Sequence, residues 1–122
     1  MSALLGEMTL TSGVCSVRGR VALSAQSPWI QHMTVRQNIL FGQNFTDVSD
    51  LYQQSVEQAA LLPDLAVLPH GDDTEIGEKG INLSGGQKAR VAFCRVLMAA
   101  PQADIILLDD PFSAVDGHTG NW

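Results

Sequence analysis

Apolar positions change their spacing several times along the chain, and each change marks an element. Met1–Met8 reads as the last two turns of a helix, with Ser2 its only possible cap. Val14–Val17 and Arg20–Leu23 are short β segments around Arg18-Gly19. Pro28 disfavours helix at Ser27 and cannot donate to a ladder, so the second strand gives way to a loop with Gln26 at its end. Thr34–Phe41 fits a short helix capped by Thr34 and closed by Gly42. From Asp47 to Leu62, Val48, Leu51, Tyr52, Val56, Ala59, Ala60 and Leu62 follow three- and four-residue steps. That spacing predicts a longer helix, stopped by Pro63, whose apolar stripe is core. Leu68–Asn82 turns polar and glycine-rich and reads as a solvated loop. Lys88–Ala100 is apolar except for Lys88, Arg90 and Arg95, so it predicts a largely buried helix with a narrow basic strip, ended by Pro101. Ile105–Leu108, four apolar residues stopped by acids and proline, predicts a strand buried on both faces, as in parallel sheets.

Composition narrows the class. The 122 residues, 45% hydrophobic and 16% charged, are those of one globular domain or part of one. A net charge of −6, with only seven scattered Lys and Arg, argues against a nucleic-acid partner. Cys15 and Cys94 match neither metal-ligand spacing nor a disulfide framework. They read as reduced packing residues, the pattern of an intracellular protein. Neither a membrane span nor a signal peptide is expected from the apolar runs. Asp72, Asp73, Glu75 and Glu78 lack the spacing of an EF-hand calcium loop.

Three places carry candidate chemistry. Leu83-Ser84-Gly85-Gly86-Gln87 opens the most helix-like run, where unpaired N–H groups and the peptide dipoles favour an anion. Ser84 is a good N-cap, and Gly85 and Gly86 have no Cβ to hold a phosphate away; the plain alternative is a glycine-rich turn. Asp109 and Asp110 stand at the carboxyl end of the last strand. Neighbouring strand side chains point to opposite faces, so a hard cation such as Mg²⁺ suits one and a water or supporting role the other. Solvated acids are the alternative. Gln26 also ends a strand, where α/β sheets present ligand-binding groups, although a structural glutamine fits as well. Ser113-Ala114-Val115-Asp116 is by itself a turn.

The order of these pieces resembles the nucleotide-binding domain of ATP-binding-cassette (ABC) transporters over nearly the whole chain. Gln26 matches the Q-loop, Leu83–Gln87 the LSGGQ signature, Ile105–Asp110 the Walker B strand and Ser113–Asp116 the D-loop. Pro28-Trp29-Ile30, Thr34-Val35-Arg36, Asn38–Gly42 and Glu75–Gly80 look most like the C subfamily, the multidrug-resistance-associated proteins. The resemblance implies an α/β, P-loop NTPase-like fold with an inserted helical subdomain. It divides the chain into 1–43 (helix, strands and Q-loop), 44–100 (helical subdomain and signature helix) and 101–122 (Walker B strand and D-loop). It implies that Gln26 senses Mg²⁺ or the γ-phosphate and relays to the membrane domain, and that Asp109 orients Mg²⁺ through water. Asp110 stands where most of the superfamily has the glutamate that positions or deprotonates the attacking water. One methylene shorter, it implies a weakly hydrolytic site, as in the first of the subfamily's two nucleotide-binding domains. Family dimers are head-to-tail, so Ser84, Gly85, Gly86 and Gln87 would close over an ATP held by a partner cassette, with Asp116 at the interface. ATP, Mg²⁺, a second cassette and transmembrane domains are the implied ligands and partners, and the cytoplasmic face of a membrane the implied location.

The sequence also departs from the family pattern. No GxxxxGK[S/T] occurs, and neither Lys79 nor Lys88 follows a phosphate loop. His118, two residues after Asp116, is too early for the family's switch histidine, and His32 and His70 read as surface or loop residues. The expectation is therefore a cassette domain incomplete at both ends, inactive alone. A soluble ABC ATPase, or a regulatory cassette that binds a partner without turnover, is the alternative.

Overall fold

The computed structural model describes residues 12, 13, 16, 18–24, 29–77 and 80–108. Expectations that fall on Met1–Met8, Val14, Cys15, Val17, Gln26, Asp109, Asp110, Ser113–Asp116 and His118 lie outside the described residues.

The two strands pair in parallel. Strand β1 (Val21–Ser24) runs beside β2 (Ile105–Leu108), with Val21 opposite Ile105 and Ser24 opposite Leu108. The register is fixed at its start: the Arg20 carbonyl accepts the N–H groups of Asp104 (2.8 Å) and Ile105 (3.1 Å), while Asp104 Oδ2 accepts the Arg20 N–H at 2.8 Å. The burial expected on both faces of β2 is not found: Ile106 is 46% and Leu108 43% exposed. Two paired strands, with a helix packed against β1, leave alternate side chains of β2 bare among the described residues.

Helix α1 (Val35–Leu40) forms where Thr34 and Gln37 make a reciprocal capping box. Its end is one residue earlier than the glycine suggests, because Phe41 itself takes the left-handed conformation (φ 46°). Asn38, buried, ties the preceding loop to this helix. Its Oδ1 accepts the Gln31 N–H (2.8 Å), and its Nδ2 donates to the carbonyls of Gln31 (3.0 Å) and Thr34 (2.9 Å).

Helix α2 (Phe45–Gln58) starts earlier than the apolar spacing predicts, capped by Asn44, and kinks at Val48 beside the expected start. It also ends earlier, and Pro63 does not stop it. Ala60 turns the chain at φ 56°, and Pro63 lies in the first turn of a further helix, α3 (Leu62–Val67). Proline is tolerated there because the first N–H groups of a helix have no intrahelical partner.

Helix α4 (Gly85–Ala99) begins at the glycine pair and passes into a 3₁₀ turn (Ala100–Gln102) that contains Pro101. It packs on α1, α2 and β1. Ile39, Val56, Ala59, Leu61, Val91 and Cys94 are among the core residues between the helices; of the stripe read as core, Tyr52, Val56 and Ala59 are buried with Val48 and Leu51 against them, while Leu62, past the end of α2, is 46% exposed. The basic strip on α4 is not left to solvent. Arg95 lies over the Trp29 ring (4.0 Å to the centroid) and donates from Nε to the Asn38 carbonyl (2.9 Å), while Trp29 meets Phe41 edge-on at 5.4 Å. Burial lowers the Arg95 pKa.

The stretch read as a solvated loop is exposed at Pro69, His70, Asp73, Glu75 and 80–82, as expected, but is anchored to the core at Thr74 and Ile76. Ile76 is buried, its N–H donates to Met33 O (3.0 Å), and Val35 N–H donates to Thr74 O (3.1 Å). Gly80 lies so close to Glu75 that a Cβ on it would run into the Glu75 carbonyl. Asp72 joins Arg36 through two hydrogen bonds (2.9 and 2.8 Å) and accepts one from the Tyr52 hydroxyl (2.7 Å). Burial alone would raise the Asp72 pKa, but the bonds from Arg36 and Tyr52 outweigh it and hold the carboxyl below its ordinary range. His32 and His70 are exposed, as expected.

Candidate functional site

The five residues Leu83–Gln87 turn a loop into α4, and their hydrogen bonds determine which groups face outward. Leu83 is buried and anchors the turn, while Ser84 and Gly85 are exposed. Ser84 Oγ accepts the Gln87 N–H (3.2 Å), and Gln87 Oε1 accepts the Ser84 N–H (2.9 Å). This capping box satisfies the first and fourth donors of the turn. The N–H groups of Gly85 and Gly86 have no acceptor within the helix.

A hydroxyl has one donor and two acceptor sites. With an acceptor site of Ser84 Oγ given to Gln87, its O–H is free to turn outward and donate. The exposed end of α4 therefore presents three donors: the Ser84 hydroxyl and two glycine amides. A Cβ built on Gly85 would meet nothing within 4 Å, so the approach to that residue is open. Together with the positive end of a 15-residue helix, this arrangement suits an oxyanion such as a phosphate.

Behind the turn lies a pair that the sequence did not announce. Asp64, on α3, accepts from Arg90 Nε (2.6 Å) and Nη2 (2.9 Å), and its Oδ1 also lies 3.4 Å from the Gln87 amide nitrogen. Both partners are nearly buried, at 14% and 11% side-chain exposure. Their separation of 26 positions leaves no local spacing signal. The one available hint was Pro63-Asp64 as a helix start. A cleft of about 230 Å³ borders the turn at Leu83 and Lys88, with His32 and Asn82 on its walls. A larger hollow of about 570 Å³, lined by Gln31, Met33, Gln37, Leu40, Phe41, Gly42 and Gln43, holds none of the motif residues.

Of the residues singled out by sequence, Ser84, Gly85, Gly86 and Gln87 stand together in this turn. Gln26, Asp109, Asp110 and Asp116 lie outside the described residues. The described strands nonetheless end side by side: Ser24 and Leu108, each the last of its strand, are register partners. Gln26 follows the first by two positions in sequence and Asp109 the second by one.

Residues 2–113 match the ABC transporter family. The chain is 57% identical over 118 residues to ATP-binding cassette sub-family C member 3 of Mus musculus, covering 97% of the chain and 8% of that protein. It is 54% identical over 120 residues to Multidrug resistance protein mrp-7 of Caenorhabditis elegans, with 98% and 8% covered. With rat ATP-binding cassette sub-family C member 2 (Rattus norvegicus) it shares 52% identity over 120 residues, again 98% and 8%. The chain thus spans about 8% of the length of these curated relatives.

Proposed function

The chain belongs to the ABC transporter family, and from that premise we propose that it serves the binding and hydrolysis of ATP that power export across a membrane. The observation that carries the reading is the turn at Leu83–Gln87, whose outward donors fit a phosphate. Ser84, Gly85 and Gly86 would donate to the phosphates of an ATP held by a second cassette packed head-to-tail, with Gln87 fixing the turn. Asp116 would lie at that interface.

On the chain's own side, Asp109 and Gln26 would hold Mg²⁺, and Asp110 would position the attacking water. Mg²⁺, when bound, supplies charge neutralisation at the phosphate oxygens, the main requirement of phosphoryl transfer. The adjacent ends of β1 and β2 support this grouping, since parallel strands present ligand groups at their carboxyl edge. Residues 1–43 and 101–122 would then form the sheet side, and 44–100 the helical side with the signature helix. The cassette would work at the cytoplasmic face of a membrane and pass its movement to transmembrane domains. No helix among the described residues is long and apolar enough to cross a membrane.

In the transporter carrying this cassette, Ser84→Arg should abolish ATP-driven vesicle uptake, because the long cation fills the space meant for the phosphate. Unchanged uptake by a normally expressed variant would refute the reading.

A further inference from the structure

We propose that Asp64 and Arg90 are positioning residues for the anion-facing turn, acting through the side chain of Gln87; the inference rests on the reading of that turn as a phosphate contact. The hydrogen bonds form one line from the interior outward. Arg90 holds the Asp64 carboxylate with two donors at 2.6 and 2.9 Å, which fixes the plane of the carboxylate. Asp64 Oδ1 lies 3.4 Å from Gln87 Nε2, and the other end of the same amide accepts the Ser84 N–H at 2.9 Å.

Both ends of the Gln87 amide are therefore committed inside the protein. A glutamine with only its oxygen engaged could pivot about that bond or flip. With the nitrogen directed to a fixed carboxylate, the oxygen is held toward Ser84, and the orientation of Ser84 follows. The consequence reaches the ligand side, because Ser84 Oγ is the cap that leaves its O–H and the two glycine N–H groups facing outward. It also joins two elements: Asp64 belongs to α3 and Arg90 to α4, so a shift of α3 relative to α4 would pull on Gln87 before it reached any phosphate.

Asp64→Ala would strand a nearly buried Arg90 and could unfold the chain for reasons unrelated to positioning. The test therefore replaces the pair together, Asp64→Leu with Arg90→Met, which leaves no orphaned charge. The chain is isotope-labelled and mixed with a complete second cassette, and the amide resonances of Gly85 and Gly86 are followed during titration with MgATP, with and without Gln87→Ala. The expected result has three parts. Replacing the pair weakens the response about threefold to tenfold, the loss of about one hydrogen bond. In the Gln87→Ala background, replacing the pair changes nothing further, because the pair acts only through that side chain. The Gln87 side-chain N–H₂, slow to exchange in the unaltered chain, exchanges like a free glutamine once the pair is gone.

Two other outcomes overturn the proposal, and they are distinguishable. If the unaltered chain beside the complete cassette shows no response to MgATP, or Ser84→Ala responds equally well, the phosphate reading of the turn falls and takes this inference with it. If the unaltered chain responds but the paired replacement responds alike, or its effect adds to that of Gln87→Ala, the positioning role alone is wrong.

Discussion

Ser84 can serve two purposes with one oxygen: it caps α4 and leaves its hydrogen available to donate outward. The two uses do not compete, since one takes a lone pair and the other the proton. Cys94 is the opposite case, a reactive atom type with no outward role. Burial pushes its thiol up to about 12, with Arg95 opposing only in part, so at neutral pH it is not a thiolate. In a Cys15→Ser chain, a disulfide reagent should modify Cys94 no faster than the chain unfolds; rapid labelling of the native protein would contradict this. At Asp110 the relevant length is a single methylene. If the shorter acid is what slows turnover at its own site, Asp110→Glu should raise single-site hydrolysis in the transporter, and an unchanged rate would count against the assignment.

Elements in this fold are fastened by polar side chains that cross between them. Asn38→Ala should cost about 2–3 kcal/mol, because it deletes several hydrogen bonds and leaves the Gln31 N–H without its acceptor. Chemical denaturation reads that loss directly, and a change below about 0.5 kcal/mol would mean that water replaces the amide. Asp72 ties α1 to α2 and adds a pH dependence. Its folded pKa lies below the unfolded value of 3.8, so its contribution is fully present above about pH 4 and disappears as the pH falls through the folded pKa. Asp72→Asn should flatten the acid limb of a stability profile; an unaltered limb would assign acid unfolding to other carboxylates. These fastenings also separate what was legible in the sequence from what was not. Thr34, Ser84 and the apolar steps of α2 act within a few residues, so the helices they start or line could be read from spacing. Arg36 and Tyr52 stand 36 and 20 positions from Asp72, and Arg90 stands 26 from Asp64. Read locally, Asp72 was only a solvated acid and Pro63 only a terminator. The LSGGQ turn was legible because its cap, glycines and helix are contiguous.

For the molecule as a whole, the chain has the helical packing of a core but only two paired strands among the described residues. The turn at Leu83–Gln87 faces outward, and in the proposed reading its site is completed by another cassette. The chain alone should therefore show no MgATP hydrolysis above a buffer blank, whereas measurable turnover by the purified chain would require a different nucleotide cradle.

The parallel pairing of β1 with β2 has a consequence for synthesis. Val21 meets Ile105 across 84 positions, whereas the helical packing draws on residues made in between. On a ribosome adding ~5–20 residues per second, β1 exists for about 4–17 s before its partner has been made. Helices α1 to α4 can collapse during that interval, but the strand must wait with its backbone donors and acceptors unpaired. The nascent chain is thus most vulnerable to wrong strand pairing before Leu108 is added, and a chaperone that shields extended segments would act at that time.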